Sequence, residues 1–190
     1  LRFNGFRYGL ALQPSLDTAL AGTTIRLPPG IYQGPAVISK PLTLEGDGKV
    51  VIDAGGQGTV LTVKADRVTL RGLTLRGSGD SHDALDGGVM AEGTKLLIEH
   101  NVIEDVLFGI SLHKVTDSII RANRIRSRAV DSADRGDGLR FWYSTGNRIE
   151  DMARNRSGSS WPISRAAAWI TSMSAAPSTV LRCALMSPSR

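Results

Sequence analysis

Between Leu42 and Asp151 the chain repeats one pattern of apolar and polar positions. In "VTLRGLTL" (68–75) apolar side chains fall at every second residue, pause for two residues, and resume. "LLIEHNVI" (96–103) and "SIIRANRI" (118–125) lie on it without gaps. Leu70, Ile98 and Ile120 correspond, as do Leu75, Ile103 and Ile125, and Gly72, His100 and Ala122 share the pause. A weaker copy, "LTLEG" (42–46), precedes them, and "NRIED" (147–151) follows. Period two is the strand pattern, not the 3.6 of a helix. A second strand sits halfway along each unit, in "GVMA" (88–91), "GISL" (109–112) and "GLRF" (138–141). There Val89, Ile110 and Leu139 point inward, with Ala91, Leu112 and Phe141 two positions on.

A unit of about 22 residues with loop insertions, and no helix long enough for a crossover, predicts a right-handed parallel β-helix of about five coils. At ~4.8 Å per rung the stack would be about 24 Å tall. A propeller blade needs about 40 residues, and a leucine-rich repeat would carry its own signature. Asn101 over Asn123 predicts a ladder of side-chain amides that satisfies buried backbone groups. Leu12, Leu16 and Leu20 have helical spacing, which predicts a short cap over the open end of the coil. The organisation expected is therefore a cap region over 1–22, coils over 23–151, and a non-repeat tail over 152–190.

Composition sharpens the last boundary. The formal charge of +5 invites a nucleic-acid reading, but residues 152–190 hold five arginines and no acid. The main body is thus neutral, and the excess belongs to the tail rather than to a phosphate groove. The tail is rich in Ser, Ala and Arg, lacks strand alternation, and puts Met152 where Asn101 and Asn123 stand in earlier coils. Out-of-frame translation of a longer β-helix explains it; a genuine flexible tail is the other reading. A start at Leu1 without an export signal suggests a fragment or a processed form. No apolar run reaches the ~18 residues of a membrane span. Cys183 is the single cysteine, so no internal disulfide forms.

Two groups of residues carry candidate chemistry. Asp80, Asp83 and Asp86 lie in the glycine-bounded loop "SGDSHDALDGG", between two strands of one coil. They are candidates for calcium binding or for the acid and base of a polysaccharide-cleaving site. Aspartates in such loops also cap turns. The second group follows from strand alternation: with Val89 and Ala91 inward, Met90 and Glu92 point outward, and His113, Arg140 and Trp142 join them from later rungs. Met90 and His113 are soft donors on diagonal positions of adjacent rungs, suited to Cu(I), with His82 a further candidate; an exposed Met and His on a solvated sheet, and a His82 that merely belongs to its loop, are the plainer readings. Glu92, Arg140, Trp142 and Tyr143 form a candidate surface for a partner or a sugar ring. Trp142 packing beneath the 127–137 insertion is the plainer alternative, and Arg140 is the one basic group on this face fit for proton abstraction.

The phrases "TTIRLPPGIYQGPAVISKPLTLEGDG", "VIDAGGQGTVLTV", "VTLRGLTLRGSGDSHDALDGGV" and "NVIEDVLFGISLH", in that order, resemble the N-terminal coils of the NosD family. The likeness covers about Leu12 to Asp151. It implies a β-helix of the carbohydrate-binding and sugar-hydrolase type in the periplasm. It also implies an accessory role, without catalysis, in supplying copper to nitrous oxide reductase, together with an ABC transporter made of the NosF ATPase and the NosY membrane subunit. No copper motif of the family is sharp enough to be carried over residue by residue onto this chain. A carbohydrate-binding or polysaccharide-modifying β-helix remains the alternative.

Overall fold

The computed structural model describes residues 2–3, 6–128, 136–156, 159–160 and 168–170, with side chains for 9–126, 128 and 136–152. The strands pair almost entirely in parallel, from Gly30–Gln33 upward, and wind as a parallel β-helix. The register matches the repeat. Leu44, Leu70, Ile98 and Ile120 pair in succession, and so do Ile52, Leu75, Ile103 and Ile125. Period two turns each of these columns to the inside, where they are fully or almost fully buried.

Each coil has three walls rather than two. The two-residue pause is a corner that divides one apparent strand between the first wall (Leu97–Glu99, Ile119–Arg121) and the second (Val102–Val106, Arg124–Ser127). Thr43–Asp53 and Thr69–Arg76 bend across it and serve both. The corner residues Gly72, His100, Ala122 and Asp151 all have φ between 48° and 65°. Gly72 is obligatory there, because a Cβ would lie 2.3 Å from the Gly46 carbonyl oxygen. His100 and Ala122 take the same conformation at a cost of about 1–2 kcal/mol each, offset by amide bonds to Arg121 O and Glu150 O on the next rung.

The corner turns the following residue inward, and there the amide ladder forms. Asn101 Oδ1 accepts the Leu73 N–H, while its Nδ2 donates to Leu70 O and Asn123 Oδ1. Asn123 repeats the pattern with Asn101 N and Ile98 O. Met152 ends the ladder with its sulfur 3.7 Å from Asn123 Nδ2. The next strand, Ala153–Arg156, still pairs with Arg124–Ser127, so the backbone carries the rung past Asp151. The tail reading concerns residues that lie, apart from 152–156 and two short strand segments, outside the described residues. A second ladder occupies another corner: Ser118 Oγ accepts from Leu96 N, and Asn147 Oδ1 from Ser118 N.

Outside, the first wall carries a column of alternating charge that the sequence reading missed. Arg26, Glu45, Arg71, Glu99, Arg121 and Glu150 stand in successive register. Glu99, only 2% exposed, receives Arg71 Nε and Arg121 Nε, each at 2.6 Å. Burial alone would raise its pKa, but the hydrogen bonds and charges of Arg121 and Arg71 outweigh that and hold it below the usual glutamate value.

The helical cap is shorter than its leucine spacing suggests. It runs Gln13–Thr18, because Ala19 turns extended. Leu12 and Leu16 are buried, but Leu20 is 79% exposed. Lys40 Nζ closes the helix end on the carbonyls of Asp17 and Ala19. Ahead of the helix, Phe6–Ala11 adds a strand beside Gly30–Gln33, so the 1–22 region is not cap alone.

Candidate functional site on the third wall

The third wall stacks Ala36–Ile38, Leu61–Lys64, Gly87–Thr94, Phe108–Thr116 and Leu139–Trp142 in that order. Val89, Ile110, Ala91, Leu112 and Phe141 are buried on its inner side, and Leu139 packs against the core. The alternate residues make two outward lanes. Thr62, Met90, Ser111 and Arg140 form one by register. Lys64, Glu92, His113 and Trp142 form the other. Between Leu112 and Val115 the register slips: Val115 pairs with Gly93, and Lys114, between them, takes φ 53°. Such a bulge re-aims the neighbouring side chains.

The second lane is tied together across rungs. Glu92 Oε1 lies 2.9 Å from His113 Nδ1. That hydrogen bond, first among its causes, holds the Glu92 carboxyl below its usual value against a smaller effect of burial, with further help from the His113, Lys64 and Lys114 charges. The Tyr143 ring stands edge-on to His113 at 6.4 Å and to Trp142 at 5.8 Å. Arg140 places its guanidinium 5.2 Å from the centre of the Trp142 ring, a cation–π contact. Tyr143 is 59% exposed and has φ 50°. In the first lane Ser111 Oγ and Arg140 Nε are buried without a hydrogen-bond partner among the described residues, a feature the sequence reading had no means to find. Both depend on how neighbouring rungs overlie them, which residue type does not report.

The structure thus brings Met90, Glu92, His113, Arg140, Trp142 and Tyr143 to one face, with Met90 paired to Ser111, two residues before His113. It does not bring His82 there; that ring sits edge-on to Phe108 at 5.7 Å, in the loop before the wall. Trp142 is half-buried. Whether the insertion covers it turns on residues 129–135, outside the described residues.

The three loop aspartates diverge. Asp86 is buried and accepts the Ser81 N–H at 3.0 Å, a turn cap. Asp80 pairs with Arg128, which also binds Asp105 Oδ1 and Ser78 O. Asp83 is exposed. Their loop connects the second wall to the third. Among the described residues no three of His, Cys, Asp and Glu are grouped to hold a metal, and no helix is long and apolar enough to cross a membrane.

No family model matches the chain. Two curated proteins, each named "Probable ABC transporter binding protein NosD", do. The one from Stutzerimonas stutzeri is 32% identical over 127 residues, covering 65% of this chain and 29% of the relative. The one from Pseudomonas aeruginosa is 30% identical over 128 residues, covering 63% and 30%. The chain spans about three-tenths of the length of the curated relatives it matches. With its stacked parallel rungs, the chain is NosD-like in sequence over that stretch.

Proposed function

We propose that the chain is a non-catalytic accessory protein working with an ABC transporter, and that its third wall handles copper on the way to nitrous oxide reductase in the periplasm. The name of its relatives supports the transporter association; NosF and NosY are the transporter subunits it would meet. The observation that carries the copper reading is the placement of Met90 and His113 on one outward face. A thioether and an imidazole suit Cu(I), which takes soft donors in low coordination number. The donor set fits a copper ion in transit, with Met90 and His113 to hold it, and not a closed zinc or calcium cage, which needs more ligands.

Anaerobic Cu(I) titration against a competing chelator tests this reading. Met90→Leu and His113→Ala should each weaken binding; no binding by the unaltered protein beyond the chelator's sinks it. A second reading rests on Arg140, Trp142 and Tyr143, whose edge-on rings and guanidinium form a platform for an acidic sugar. Oligouronide binding that Trp142→Ala abolishes would favour that reading.

A further inference from the structure

His113 has two ring nitrogens, and the contact made by one decides what the other can do. Nδ1 lies 2.9 Å from Glu92 Oε1. An ionised carboxylate only accepts, so the hydrogen of this contact sits on Nδ1. In the neutral imidazole Nε2 then carries the lone pair. No hydrogen bond from the described residues occupies Nε2.

The pair is built in by the fold. Glu92 pairs with Lys64 on the rung before and His113 with Trp142 on the rung after, and across the bulge between them Leu112 pairs with Ala91 and Val115 with Gly93. The Tyr143 ring stands edge-on to the imidazole at 6.4 Å. Carboxylates that accept from the second nitrogen of a ligating histidine fix its tautomer and raise its basicity, and losing them typically weakens metal affinity about 10–100-fold.

We infer that Glu92 is a positioning residue: it holds His113 in the Nδ1–H tautomer and so presents Nε2 as the donor nitrogen that joins the Met90 thioether on one soft metal ion. The inference rests on the copper-handling reading of this wall and adds which nitrogen donates and what keeps it ready.

Two measurements on the full chain test it. Nitrogen-15 NMR of the histidine rings without metal, above the imidazole titration range, should show Nδ1 of His113 protonated and Nε2 bare. Glu92→Ala should return the ring to the Nε2–H form that free histidine favours, while Glu92→Gln, whose amide oxygen can accept the same bond, should retain Nδ1–H. Titrating with Cu(I) should then move the Nε2 resonance, and Glu92→Ala should weaken binding about 10–100-fold, with Glu92→Gln recovering most of it. An Nε2–H tautomer in the unaltered protein, or equal Cu(I) affinity after Glu92→Ala, overturns the positioning role and leaves the copper reading standing. The expected tautomer with no Cu(I) binding by the unaltered protein instead overturns the donor assignment together with the copper reading.

Discussion

Asn101 Nδ2 donates to Asn123 Oδ1 across one rung at 3.0 Å, and the same Oδ1 also takes the Asn101 backbone N–H. One acceptor thus serves two donors, inside a core that offers them no water. Asn123→Leu would leave Asn101 N, Asn101 Nδ2 and Ile98 O without their present partner. Each orphaned buried group costs about 1–3 kcal/mol, so the variant should lose at least ~2 kcal/mol in urea unfolding. Asn101→Leu should do comparable harm through Leu73 N and Leu70 O. Near-native stability in either would mean that the ladder contributes register alone.

Glu99 gives the fold a pH dependence. Its carboxyl, held below the usual value by Arg121 and Arg71, is more acidic folded than unfolded. The unfolded chain therefore binds the proton first, and the stabilisation is fully present above the unfolded glutamate value and lost as pH falls through the lower folded value. Urea midpoints should decline as acidity increases below the ordinary glutamate range, and Glu99→Gln should flatten that part of the profile. At neutral pH the substitution should cost about 1.5–3 kcal/mol, the range for a hydrogen bond to a charged group. A profile unchanged by Glu99→Gln would place the acid sensitivity elsewhere.

The rungs were legible because period two leaves little freedom: once Leu70, Ile98 and Ile120 face the core, a slip of one residue would turn them all outward. The same rule placed Met90, Glu92, His113 and Trp142 on one face. The pause read as a turn, but its left-handed backbone was not legible, since His100, Ala122 and Asp151 adopt positive φ although none is glycine. Closure of the coil selects that conformation, not residue preference. Helical spacing misled at Leu20 because spacing says nothing of where an extended Ala19 ends the helix. Asp86 resembled Asp80 and Asp83 in sequence, and only its turn back to Ser81 N separates a cap from a ligand.

The corner itself separates two substitutions that look alike on paper. Gly72→Ala forces a Cβ to 2.3 Å from Gly46 O in a left-handed conformation, and neither backbone can retreat without opening a rung. A loss of more than ~2 kcal/mol is expected, combining overpacking with the left-handed penalty. Ala122→Gly at the equivalent corner relieves the same penalty and should be neutral or gain up to about 1 kcal/mol. Thermal unfolding of both variants decides it; a stable Gly72→Ala would mean the corner relaxes freely.

The cap makes the last prediction. Gln13 uses its side-chain amide as a substitute strand: its Oε1 takes the Val37 N–H at 2.7 Å, and its Nε2 donates to Val37 O at 3.1 Å. Val37 lies on Ala36–Ile38, the first strand of the third wall, whose outer edge has no other strand beside it among the described residues. An open parallel edge is a template for pairing with another chain. Gln13→Ala removes both bonds but leaves Leu12 and Leu16 to hold the helix, so the stability loss should stay near 1–2 kcal/mol. The larger effect should be on association, with concentration-dependent growth in light scattering that Gln13→Asn, too short to span both Val37 groups, only partly prevents. If Gln13→Ala stays as monodisperse as the unaltered protein, the edge is protected by something other than this amide.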